Sequence, residues 1–137
     1  MKSAIKMFWV FTLLFMITSC ATTPPAIPEK YNLDNKLEEV KEITSYRVNG
    51  WERVDTQSLI LNSNVNDYYL LVLDRPLTGL ITSESIGVSS TTTSIKAGFD
   101  RIYVRDSVGV EYYTIDRIYK LKGREQAREI RAQLGKK

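Results

Sequence analysis

The chain has 137 residues, room for a single domain, with 19 basic and 16 acidic side chains, no histidine and one cysteine. Without histidine there is no Ser-His-Asp or Cys-His catalytic arrangement and no histidine-ligated zinc or haem. A lone cysteine also rules out an internal disulfide, so packing alone must hold the core.

Residues 1–19 have the layout of a secretory signal. Lys2 and Lys6 supply positive charge, and Met7 to Ile17 form an apolar run of about eleven residues, too short to span a bilayer. The flank after Cys20 is "ATTPPAIP" and not the basic flank of a stop-transfer helix. The run ends in "ITSC", which resembles a bacterial lipobox: aliphatic Ile17, small Thr18 and Ser19, then Cys20 as lipid acceptor, with cleavage between Ser19 and Cys20. A thiolate is the strongest side-chain nucleophile available to take a diacylglyceryl group as a thioether. Cys20 would then be the acylated first residue of the mature chain. Two or three long chains of the palmitate class hold far more firmly than one myristoyl group. Ala21, where enteric-type lipoproteins retained at the inner membrane often carry Asp, points to the periplasmic face of the outer membrane.

Loss of Lys2 and Lys6 leaves the mature chain nearly neutral but asymmetric. Residues 117–137 carry eight Lys or Arg against Glu125 and Glu129, whereas residues 21–116 carry nine basic and fourteen acidic side chains. Residues 20–30, with three prolines, read as an extended tether. In "NLDNKLEEVKEI", Leu33, Leu37, Val40 and Ile43 fall at helical spacing, with Asn32 or Asp34 as a cap, which predicts a short amphipathic helix.

From Tyr46 the period changes to that of strands. "SLILN" (58–62) is a short apolar run. "YYLLVLD" (68–74) places Tyr68, Leu70 and Val72 on one face and Tyr69, Leu71 and Leu73 on the other, the pattern of a central strand covered on both sides. Pro76 ends it. "SIGVSS" (85–90) and "IKAG" (95–98) are weaker strands around the polar "TTTS". In "RIYVRD" (101–106), Ile102 and Val104 alternate with Arg101, Tyr103 and Arg105, and "VEYYTI" (110–115) returns as a hairpin in which Gly109 suits a left-handed position. Ile115, Ile118 and Leu121 close the domain. "REQAREIRAQL" (124–134) is helical, with Ala127, Ile130 and Leu134 as a thin apolar stripe, and 135–137 form a tail. The expected fold is therefore mainly β (α+β): one small antiparallel sheet over residues 31–134, strongly curled or barrel-like, with short N-terminal and C-terminal helices. A sandwich fits the two-faced strand as well.

The segments "NGWERVDTQSLILN", "YYLLVLDRPL", "IKAGFDRIYV" and "YTIDRIYKL", spanning roughly residues 44–121, resemble in order and spacing a family of small proteobacterial envelope proteins known only as a domain of unknown function. Many of its members are lipoproteins. The resemblance implies a cysteine after the proline of the central strand and another in the last strand, paired as a disulfide. This chain has Leu77 and Tyr113 there. A joint loss fits a structural pair and speaks against a redox role, and the resemblance supplies no activity.

Several residues invite a chemical role and a plainer one. Asp67, Asp74, Asp100, Glu111 and Asp116 are the conceivable acid–base carboxylates, yet they sit at turns and strand ends where Asp is ordinary. Trp51 and Tyr46, Tyr68, Tyr69, Tyr103, Tyr112 and Tyr113 can line a glycan or small-ligand pocket, but strand aromatics more often form core and cross-strand pairs. "SSTTTS" reads as a polar connection. Arg128 and Arg131 with Glu125 and Glu129 make a solvated helix face that nonetheless suits an envelope protein partner or an anionic surface. The sequence thus points to a non-catalytic envelope lipoprotein tethered to membrane lipid through Cys20, with no cofactor, metal or nucleic acid. The alternative is a small-ligand or glycan binder with a tyrosine-lined pocket.

Overall fold

The computed structural model describes residues 26–44, 46–77, 85–90, 93–105 and 107–136; Ile17, Thr18, Ser19 and Cys20 lie outside them. After a 3₁₀ turn at Glu29–Tyr31 the strands run β1 (Glu38–Val40), β2 (Glu42–Thr44), β3 (Val48–Arg53), β4 (Ser58–Ser63), β5 (Asp67–Leu73), β6 (Ile86–Ser89), β7 (Ser94–Lys96), β8 (Arg101–Arg105) and β9 (Val110–Leu121), and helix α1 (Arg124–Leu134) ends the order. Seven strands form one antiparallel sheet in the order β3-β4-β5-β9-β8-β6, with β1 also on β9, and β2 pairs with β7. The sheet curls into a half-barrel.

The curl results from where the apolar side chains go. Leu59, Leu61, Leu71 and Leu73 from the sheet's middle, Ile102 and Val104 from one end, and Ile43 and Ile95 from the β2–β7 pair all share one inner cluster. Trp51, from the other end, packs against it. Strands at both ends reach a common cluster only if the sheet bends around it. The opposite face buries Ile60, Leu70, Val72, Tyr119 and Leu121 beneath Tyr31, Leu33 and Leu37 of the N-terminal arm and Ala127, Ile130 and Leu134 of α1. The expected two-faced β5 is confirmed residue for residue, and it is central, between β4 and β9.

Strand β9 is the spine. Its first half pairs with β8, its last positions with β1, and its other edge with β5. Tyr113 and Ile115 face the inner cluster and so does Ile118, whereas Tyr119 and Leu121 face the outer one. That change of parity requires one extra residue. The register slips between Val72↔Arg117 and Leu73↔Ile115, which leaves Asp116 as a bulge.

The helix expected over Leu33–Ile43 does not form. Leu33 to Leu37 make one tight turn, with the amides of Lys36 and Leu37 each 2.8 Å from the Leu33 carbonyl, and the chain then enters β1 and β2. The apolar residues are buried as expected but divide between two cores: Leu33 and Leu37 outside, Ile43 inside with Val40 packed against the inner cluster. A helix would present a single stripe to a single core, so the open edge of β9 overrides the helical periodicity. Docking also begins early, since Ile27 already packs on the outer cluster.

The β8–β9 hairpin is as expected, with Ile102 and Val104 buried. Gly109, however, is not left-handed: among the described residues the glycines with positive φ are Gly98 (79°) and Gly123 (97°). The β8–β9 connection spans 106–109 and escapes the demands of a two-residue turn. Gly123 precedes α1, where the Gln126 side chain accepts from the Lys122 amide at 2.7 Å and occupies one of the donors exposed at the helix start.

These contacts set two stability tests. Ile130→Ala removes a buried anchor of α1 and is expected to cost about 2–4 kcal/mol, read from the urea midpoint. Deleting Asp116 would make Ile115 and Arg117 consecutive partners of Leu73 and Val72 and keep 117–121 on their present faces, so a retained cooperative unfolding transition is expected. Deleting Arg117 together with Asp116 would turn 118–121 onto the wrong faces and abolish it; loss of the transition on deleting Asp116 alone would refute the bulge assignment.

Candidate functional site

The five carboxylates singled out by residue type are each engaged locally, and three of them, Asp74, Asp100 and Asp116, lie around residues 114–116 of β9. Asp74 accepts from the Thr114 amide at 3.1 Å and Asp100 from the Lys96 amide at 2.6 Å. Asp67 lies 3.4 Å from the Asn64 side-chain amide, Asp116 3.5 Å from the Arg117 guanidinium, and Glu111 accepts from the Tyr113 hydroxyl. No group of three or more acidic or cysteine side chains suited to a metal occurs among the described residues.

The aromatics do not line one pocket either. Tyr46 and Tyr69 pack on the inner cluster, and Tyr113 is buried within it beneath the Arg75 guanidinium, 4.9 Å from the ring centroid. Tyr103 and Tyr112 face each other across β8 and β9 with centroids 6.0 Å apart, and Tyr103 also covers the space above Gly87, its cross-strand neighbour. Leu77 and Tyr113 lie in the same core cluster, where two apolar side chains fill shared space. Part of "SSTTTS" falls outside the described residues; Ser90 within it donates to the Ser94 carbonyl.

Asp55, the polar hub of the structure, carries no mark in the sequence that would single it out. In the β3–β4 turn its carboxylate accepts from the Gln57 amide (2.9 Å) and the Ser58 hydroxyl (2.8 Å), the local pattern of an Asx turn. It also receives the Lys30 ammonium (2.8 Å) and the Tyr31 hydroxyl (2.8–2.9 Å) from the N-terminal arm. Burial alone would raise its pKa, but these four donors outweigh burial and hold it below the usual carboxylate value. Burial first, with the neighbouring Asp55 adding to it, pushes the Tyr31 hydroxyl up to about 12. A second clasp is the Tyr119 hydroxyl, 3.0 Å from both the Tyr31 carbonyl and an Asp34 oxygen.

The open feature is a cleft of about 480 Å³ between α1 and the outer face of β3, β4 and β5. Its floor is a cross-strand row, Gly50 opposite Asn62 and Asn62 opposite Tyr68, with Ile60 and Glu52 beside it. Arg124, Arg128 and Arg131 form the helix wall. Arg131 reaches Glu52 at 3.0 Å across the rim, while Arg124 and Arg128 have no side-chain partner among the described residues. An adjoining cavity of about 590 Å³ shares Arg128 and Arg131 and adds Arg53 and Lys136. The basic helix is visible in the sequence but the sheet row beneath it is not, because three strands and a distant helix meet only through register.

Residues 1–137 match the family of unknown function DUF6491, and the chain belongs to that family. Neither a curated protein nor a solved structure matches the chain.

The Asp55 hub has a pH signature. Its folded pKa lies below the unfolded value of about 3.8, so its stabilisation is full above that pH and is lost as pH falls through the folded value. Tyr31 titrates at about 12 folded against 10.0 unfolded, so its contribution is full below pH 10 and lost as pH rises toward 12. Urea midpoints against pH should therefore lose the acid limb in Asp55→Asn and flatten above pH 10 in Tyr31→Phe. Asp55→Ala at neutral pH is expected to cost about 1–3 kcal/mol, because the Tyr31 hydroxyl is left without its partner.

Proposed function

We propose that this member of DUF6491 is a lipid-anchored, non-catalytic interaction protein of the bacterial envelope, held by acylated Cys20 at the periplasmic face of the outer membrane. The observation that carries the reading is Cys20 itself: the chain's one cysteine, closing "ITSC" directly after a basic start and an apolar run. The fold supports it in one respect. The chain downstream of Cys20 docks from Ile27 onward on the outer face, and Lys36 to Glu38 lie beside Gln126 of α1. The described N-terminal arm and the basic helix cover the same face of the sheet, which suits engagement of an envelope protein or an anionic surface by that face. No helix among the described residues is long and apolar enough to cross a membrane.

The test is Cys20→Ser in cells grown with labelled palmitate, with separation of the two membranes. The parent chain should be shortened, labelled and recovered with the outer membrane. The variant should accumulate as an unlabelled, full-length precursor. Normal processing of the variant would overturn the anchor, and recovery of the labelled parent with the inner membrane would overturn the location.

A further inference from the structure

We infer that the cleft between α1 and β3 receives an extended acidic segment of a partner protein, whose carboxylates dock on the arginines of the helix. This partner chemistry rests on the interaction role proposed above, but not on the anchor at Cys20.

The charge of the cleft favours an acidic ligand. Arg124, Arg128 and Arg131 stand four and then three residues apart, which brings them to one side of α1, and all three are exposed. The adjoining cavity shares Arg128 and Arg131 and adds Arg53 and Lys136. Among the described residues, Glu52 is the only acidic side chain that lines either space; Glu125 and Glu129 of the same helix line neither. Five cations therefore surround a single carboxylate. Like charges at helical spacing repel, and an added anion relieves that repulsion.

One carboxylate is already in place on the helix wall. Glu52 holds Arg131 at 3.0 Å, whereas no carboxylate among the described residues pairs with Arg124 or Arg128. The two side chains of that pair are 61% and 56% exposed, so the bond is weak and yields to a segment that offers several carboxylates at once. Guanidinium forks match carboxylate oxygens two at a time.

The shape fits an extended chain. The cleft and the adjoining cavity together follow α1 from Arg124 to Lys136. A helix of 11 residues is about 16 Å long, which an extended segment of about five residues spans. Arg124 and Arg128 are separated by about 6 Å of helix rise, close to the two-residue repeat of about 6.6 Å in an extended chain. Acidic residues at alternate positions thus meet successive arginines. A recess of about 480 Å³ also suits a chain that enters it better than a flat lipid surface, which meets only protruding side chains.

The test is fluorescence anisotropy of a labelled peptide, Glu-Ser-Glu-Ser-Glu-Ser, titrated with the full chain in non-ionic detergent; Gln-Ser-Gln-Ser-Gln-Ser is the control. The acidic peptide is expected to bind at least tenfold tighter than the control, and less tightly as salt is added. Arg128→Glu should weaken it at least tenfold. Arg101→Glu alters the net charge equally but lies on β8, outside both spaces, and should change binding less than twofold. Glu52→Gln removes the internal competitor and should tighten binding about two- to fivefold. In a second arm, read by amide exchange, the acidic peptide should slow exchange in β3 and α1, whereas phosphatidylglycerol doped into the micelles should not. Protection by phosphatidylglycerol gives the face to an anionic lipid surface, which overturns the inference but leaves the interaction role standing. Binding of neither overturns the inference and removes this face from the interaction role as well. Equal binding of the two peptides, or equal losses in Arg128→Glu and Arg101→Glu, also overturns it.

Discussion

Everything in this fold depends on a sheet that is apolar on both faces. Leu59, Leu61, Leu71 and Leu73 point inward while Ile60, Leu70 and Val72 point outward from the same two strands. Leaving either set in water would forfeit about 1.5–3 kcal/mol per side chain. The sheet answers on one side by curling on itself and closing the opening with β2 and β7. On the other side it has no further strands to use, so the two ends of the chain become its cover. The arm brings Tyr31, Leu33 and Leu37, and α1 brings Ala127, Ile130 and Leu134.

That division of labour explains both polar features of the molecule. A cover made from a chain terminus must be fastened, and Asp55 and Tyr119 are the fasteners of the arm. Asp55 recruits two charged or polar side chains from a segment some 25 residues earlier while also fixing its own turn. Helix α1 covers Leu70, Val72 and Leu121 but leaves the row Gly50–Asn62–Tyr68 uncovered. The cleft is thus the part of the outer face where the cover stops.

Much of this is legible in the sequence where one period dominates. Residues 68–73 alternate without interruption, and the alternation alone assigns their two faces; Ile102 and Val104 are equally plain, and the helix bounds 124–134 agree with the structure. The features that stay hidden depend on pairing. Leu33, Leu37, Val40 and Ile43 satisfy a helical spacing by coincidence, because a turn and two short strands place buried residues at similar intervals. The bulge at Asp116 is invisible because an extra residue in a strand leaves no mark on composition. Nor can Asn62 be seen to sit between Gly50 and Tyr68 until the registers of β3, β4 and β5 are known.

Strand β9 carries a consequence for the order in which this chain can be completed. It lies between β5 and β8 and also receives β1, yet it is the last strand to be synthesised. Until residue 121 has been made, β3, β4 and β5 form one patch and β6 and β8 another, with only the short β2–β7 pair to join the two halves. The inner core cannot close around such halves, and β1 still lacks the edge it pairs with. Pairings of this sequence separation are slow to form and come late. The chain therefore stays open until its last strand has been made, and the strand that closes the inner core is the same one that gives the N-terminal arm its edge.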